Sequence, residues 1–108
     1  MLPITTDKLA EVIILARELD RARGEFYGFV DQLTDDEKYA LVAVFWIGRG
    51  SFDADDLPEA LRTAEQEATI PTAEYLIGSP HLADHLEVGM EALGLDATGA
   101  EDALYRPA

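Results

Sequence analysis

Thr34-Asp35-Asp36-Glu37-Lys38-Tyr39-Ala40-Leu41-Val42-Ala43-Val44-Phe45-Trp46-Ile47-Gly48-Arg49-Gly50 decides how this chain folds. Thr34 and Glu37 stand three apart, the spacing of a capping box, in which each side chain satisfies an orphan amide at the other's position. A helix therefore starts here. From Ala40 to Ile47 every residue is apolar, so this helix has no polar face and must be buried on most sides. Gly48-Arg49-Gly50 stops it, one glycine being the left-handed residue that ends many helices. A hydrophobic helix over about 35–48 thus forms the centre of the domain.

Working outward toward the N-terminus, Leu9, Val12, Ile13, Ala16 and Leu19 recur at helical spacing behind Thr5 or Thr6, either of which can cap. The pattern predicts a first helix over about 7–23 that Gly24 ends. A short second helix follows, with Phe26, Phe29, Val30 and Leu33 on one face. Ile14 and Leu15 widen the apolar arc of the first helix beyond one stripe, which calls for burial from two sides or self-association.

Toward the C-terminus, Asp53 can cap a fourth helix, but Pro58 would then fall at its fifth position and cost a hydrogen bond. A cap at Asp55 or Asp56 moves Pro58 into the tolerated first turn. Leu57, Leu61, Ala64 and Ala68 make the thin stripe of a surface helix. Thr72 is placed to cap a short fifth helix that Gly78 ends. Ser79-Pro80 signals a sixth, with Leu82, Leu86, Met90 and Leu93 at helical intervals until Gly94. No strand pattern competes. The expectation is an all-α, compact bundle of five to six short helices in a single domain over residues 1–94, followed by a loose acidic tail over 95–108.

Composition narrows the chemistry. With no cysteine among 108 residues, thiolate nucleophiles, disulfides, iron–sulfur clusters and Cys-based zinc sites are excluded. The longest uncharged apolar run, Tyr39 to Ile47, falls well short of the ~20 residues that span a bilayer. The N-terminus lacks the basic and long apolar regions of a secretory signal, so a cytoplasmic protein is expected. Eight basic against 22 acidic residues leave a formal net charge of −14, unevenly spread. Residues 1–23 balance four of each sign, whereas no Lys or Arg occurs between Thr63 and Tyr105. Such a surface repels phosphate backbones and anionic lipid, and steers a basic protein partner toward itself. Solubility, a saline cytoplasm or mimicry of DNA are other readings of the same charge.

Three constellations could carry function. Trp46 and Arg49 share the turn that ends the central helix, where an Arg between glycines can read an anion or a partner carboxylate. It can equally bond the helix's own last carbonyls or pair with Asp53, Asp55 or Asp56. His81 and His85, four apart with Asp84 between them, have a spacing that can present two imidazoles to one divalent metal, though His-Glu-x-x-His is absent because position 82 is Leu. The aspartates from Asp53 to Asp56 do not form a calcium loop, since the register would put Phe45, Ile47 and Arg49 at oxygen-donating positions. Arg17 and Arg21 have Glu18 and Asp20 as neighbouring partners. No nucleophile triad, phosphate loop or dinucleotide fingerprint is present, so no catalytic residue and no cofactor is assigned.

Ala16-Arg17-Glu18-Leu19-Asp20, the Leu41-to-Gly50 block, and Tyr75-Leu76-Ile77-Gly78-Ser79-Pro80 with Leu82-Ala83-Asp84-His85-Leu86-Glu87 together resemble an uncharacterised, mainly proteobacterial family, domain of unknown function 3775. The resemblance covers about residues 4–94 and implies no activity, cofactor or partner. Its members usually have a longer polar connection at Arg23-Gly24-Glu25, and apolar or aromatic residues in place of His81 and His85. The sequence reading is thus a small non-enzymatic protein-interaction or regulatory module with an acidic surface. The alternative is a small-ligand or metal-binding protein using His81, Asp84 and His85. Self-association into a homo-oligomer is a further expectation.

Overall fold

The computed structural model describes residues 2–95, and the acidic tail expected beyond Leu95 lies outside the described residues. These fold into α1 (Thr6–Arg17), α2 (Leu19–Asp31), α3 (Asp35–Arg49), α4 (Leu57–Gln66), α5 (Thr72–Ile77) and α6 (Leu82–Ala92), with one 3-10 turn at Ala54–Asp56. No strand occurs among the described residues. The expected all-α bundle around a central helix is what forms. Every residue of α3 from Ala40 to Ile47 is buried, and α3 packs chiefly against α6 and α4, while α1 lies on α2 and α6.

The capping box stands as read: the Thr34 hydroxyl accepts from the Glu37 amide and Glu37 Oε1 accepts from the Thr34 amide at 2.9 Å. At the other end of α3, Gly50 and not Gly48 is the stop. Gly50 takes φ +91°, and the Ser51 and Gly50 amides close back on the carbonyls of Trp46 and Ile47, a Schellman motif that needs a residue without Cβ strain. Gly94 ends α6 in the same way, with Leu95 donating to Met90.

Gly48 has a different task. A Cβ there would lie 1.6 Å from the His85 carbonyl oxygen, and one on Gly89 would lie 2.1 Å from that of Val44. α3 and α6 therefore touch backbone to backbone, a separation that only hydrogen atoms in place of side chains permit.

The structure departs from the sequence reading at three boundaries. The first helix does not run to residue 23: it ends at Arg17, and Glu18 leaves helical geometry (φ −114°, ψ 27°). α2 starts at Leu19, bends again at Ala22 and passes straight through Gly24. A continuous helix could not bring both Leu9, Val12 and Ile13 of α1 and Phe26 and Val30 of α2 into one core, and all five are fully buried; packing overrides the local propensity. Ser79-Pro80 does not start α6: His81, left-handed at φ 60°, separates Pro80 from Leu82, and the Ser79 amide closes α5 on the Leu76 carbonyl. Thr72 is the first residue of α5 rather than its cap, with Pro71 before it. For α4, both aspartate positions are used. Asp53 opens the 3-10 turn, where its amide donates to Asp56 Oδ2 at 3.4 Å, and Pro58 follows as the second residue of α4, where its missing amide costs nothing.

Among the described residues, two ion pairs fasten α1. Lys8 Nζ lies 2.5 Å from Glu37 Oε2, and Arg17 reaches Glu87 of α6 at 2.7 Å. Ile14 and Leu15, which widen the apolar arc of the first helix, are half-buried, and among the described residues the exposed large hydrophobics are Ile70 and Val88. No helix among them is long and apolar enough to cross a membrane.

Glycine-to-alanine substitutions should consequently change sign with position. Gly48→Ala and Gly89→Ala are expected to lower stability by about 3 kcal/mol or more through overpacking. Gly28→Ala, in α2 with no atom within 4 Å of the added Cβ, should raise it by about 0.5–1 kcal/mol through helix propensity. Urea unfolding of the three variants checks this.

The Glu37 carboxyl is held below its ordinary value of 4.5 by the Lys8 ammonium first and the Thr34 amide second, against the opposing effect of burial. Because the folded value is the lower one, its stabilisation is complete above the ordinary glutamate value and is lost as pH falls through the folded value. Glu37→Gln should therefore be less stable than the parent at neutral pH and converge with it in acid, as urea midpoints measured across that range would show.

Candidate functional site

Trp46 and Arg49 are three residues apart on α3, yet the structure sends them in different directions. The Trp46 ring is 7% exposed, stacks on Phe52 at 5.7 Å, and donates its indole N–H to the Tyr75 hydroxyl at 2.9 Å. Arg49 is exposed at the end of α3. Its guanidinium carbon lies 5.0 Å from the Phe45 ring centroid and its Nε donates to Ser51 Oγ at 3.1 Å. Arg49 forms no ion pair with Asp53, Asp55 or Asp56; the aspartate partner considered from sequence is replaced by a cation–π contact and a hydroxyl of its own turn. The two residues do not make one site.

His81, Asp84 and His85 are brought near each other without converging. His81 Nδ1 is 3.9 Å from Asp84 Oδ2, and both side chains are largely exposed. The His85 ring instead packs edge-on against Phe45 at 5.7 Å, and the two imidazole centroids are 6.5 Å apart at a steep angle. The left-handed conformation of His81 takes it off the helical face that the spacing of four assumed. No group of three or more metal-ligating side chains occurs among the described residues.

A cleft that sequence reasoning missed lies on the opposite side of α3 from α6. It holds about 230 Å³ and is walled by Tyr39, Val42 and Trp46 of α3, Ala64 of α4, and Thr72 and Tyr75 of α5, with Glu67, Ala68, Thr69 and Ile70 along the connection. Ile70 stands 51% exposed at this edge. The Tyr75 hydroxyl accepts from Trp46, which leaves its own proton to donate. The Tyr39 phenol is held above its ordinary value of 10.0 by burial, then by the charges of Asp35, Glu65 and Asp36, so it too stays a donor at neutral pH. The cleft thus combines an apolar floor, two phenolic donors and an acidic surrounding.

A family model described as a protein of unknown function, DUF3775, matches residues 23–95. The chain belongs to this family. No curated protein matches the sequence and no solved structure matches it. The matched span of this DUF3775 member begins after α1, later than the resemblance read from residue 4, and contains the whole lining of the cleft.

Tyr39, Val42 and Trp46 follow helical spacing, but on a helix apolar all round that spacing does not tell the cleft side from the α6 side. Tyr75 is joined to Trp46 across 29 positions, a relation no local pattern carries. Tyr75→Phe should strand the indole N–H of a nearly buried ring and cost about 1–2 kcal/mol. Trp46 is the sole Trp, so its emission spectrum and a urea titration followed at that emission report the change directly.

Proposed function

We propose that this DUF3775 chain is a non-enzymatic protein-interaction module and that the cleft between α3, α4 and α5 is where its partner docks. The observation that carries this reading is the chemistry of the lining. Aromatic and aliphatic side chains dominate, hydroxyls and one carboxylate supply the polar groups, and no imidazole, amine or guanidinium is among them. Pockets that recognise another chain use such aromatic walls with few convergent polar groups. Around it, α4 to α6 carry exposed acids and no cation after Arg62, which favours a basic partner over nucleic acid or anionic lipid.

The reading is tested by capture from native lysate with the parent chain and with Ala68→Arg. Ala68 is exposed and lines the cleft, so the substitution adds bulk and positive charge at the docking surface without disturbing the core. The parent is expected to retain a near-stoichiometric partner that raised salt releases, and Ala68→Arg to lose it at unchanged helicity and melting temperature. A partner held equally by both, or none held at low salt, counts against the proposal.

A further inference from the structure

Beside the cleft lies a second depression of about 280 Å³, lined by Pro3, Asp36, Tyr39, Leu61, Arg62 and Glu65. The two share Tyr39, so a ligand can occupy both. Along α3 the lining residues Asp36, Tyr39, Val42 and Trp46 span ten positions, about 15 Å of helix axis. An extended peptide advancing about 3.3 Å per residue covers that length in four or five residues. Side chains an even number of positions apart on such a peptide point the same way, and a separation of four, about 13 Å, matches the roughly 12 Å of helix axis between one group seated against Val42 and Trp46 and a second against Asp36 and Glu65.

The second depression differs from the first in charge. Asp36 and Glu65 line it against the single guanidinium of Arg62, and none of these three forms an ion pair within the described residues. Asp35 adds a third carboxylate acting on Tyr39. An ammonium or guanidinium brought here meets unpaired carboxylates at the end of the furrow, while the first depression offers apolar contact.

We infer that the furrow binds an extended basic peptide segment, seating an apolar side chain in the cleft and a Lys or Arg four residues away in the Asp36–Glu65 depression. This rests on the interaction-module reading and specifies the chemistry of its partner. The Tyr39 hydroxyl in the shared wall and the Tyr75 hydroxyl in the first depression are both available to donate to the peptide's carbonyls.

Blocked hexapeptides without Trp, carrying Leu and Lys four positions apart, are titrated into the full chain while Trp46 emission and the backbone amide NMR spectrum are followed. A saturable response localised to α3, α4 and α5 is expected. Replacing the peptide's Leu with Ala should weaken binding roughly tenfold or more, the size of a lost buried side chain. Asp36→Asn and Glu65→Gln should each weaken it roughly two- to fivefold, and Arg62→Gln should strengthen it by a similar factor, as exposed charge pairs do. Thermal melts of the three variants separate these effects from loss of fold, and the opposite sign at Arg62 is one that a merely structural role would not produce. Equal affinity for peptides with Lys or Glu at the second position overturns the inference, as does the lack of a saturable response when Leu is varied to Ile, Met and Phe. The interaction reading itself fails on a separate result, the equal retention of a partner by Ala68→Arg.

Discussion

α3 and α6 cross where Gly48 meets the His85 carbonyl and Gly89 meets that of Val44. Because both helices give up a side chain at the crossing, their backbones approach more closely than ridge-into-groove packing between ordinary residues allows. This contact assigns the sides of a helix that has no polar face of its own. With α6 seated over Val44 and Gly48, Phe45 receives the edge of the His85 ring, and Val42 and Trp46 are left to face α4 and α5. α1 is then held over α6 and α3 together, since it reaches Glu87 on one and Glu37 on the other.

What the sequence makes legible are features whose cause is local. Thr34 and Glu37 form their capping box from residues three apart, and Pro58 finds the first turn of α4 because its ring excludes it from anywhere further along. Gly48 and Gly50 are alike as sequence signals but differ in cause, since the left-handed turn at Gly50 is local whereas the clash at Gly48 comes from a helix some forty residues away. The bend at Glu18 has no local signal either. Ser79-Pro80 is a strong start signal that loses because His81 turns left-handed between Pro80 and Leu82. The cleft is the least legible feature, being made by the orientation of α3 among three partners.

The charge pattern takes on structural meaning once α1 is in place. The two interhelix ion pairs among the described residues draw their cations, Lys8 and Arg17, from the balanced first segment, and their carboxylates from the acidic remainder. Positive charge near the N-terminus is thereby used in tethering α1. Apart from Glu87, the acids of α4, α5 and α6 stay exposed without a Lys or Arg partner among the described residues, and their mutual repulsion is tolerated because each faces water. A surface of one sign with an apolar hollow in it is suited to association, since long-range attraction selects a partner of opposite charge and short-range contact retains it.

The hollow persists because the groups around it cannot move in to fill it. α4 presents Ala60 and Ala64 to α3, both almost fully buried, where a larger aliphatic residue would have occupied the space against Val42. The Trp46 indole, the largest side chain in the lining, is clamped by its stack on Phe52 and its hydrogen bond to Tyr75. Moving it would break both and leave a donor unsatisfied. A core of freely adjustable residues collapses around a void of this size, because unfilled volume costs contact energy on every wall. Here a small residue on one helix and a doubly held ring on another keep the cleft open, with the exposed Ile70 and Glu67 in its lining.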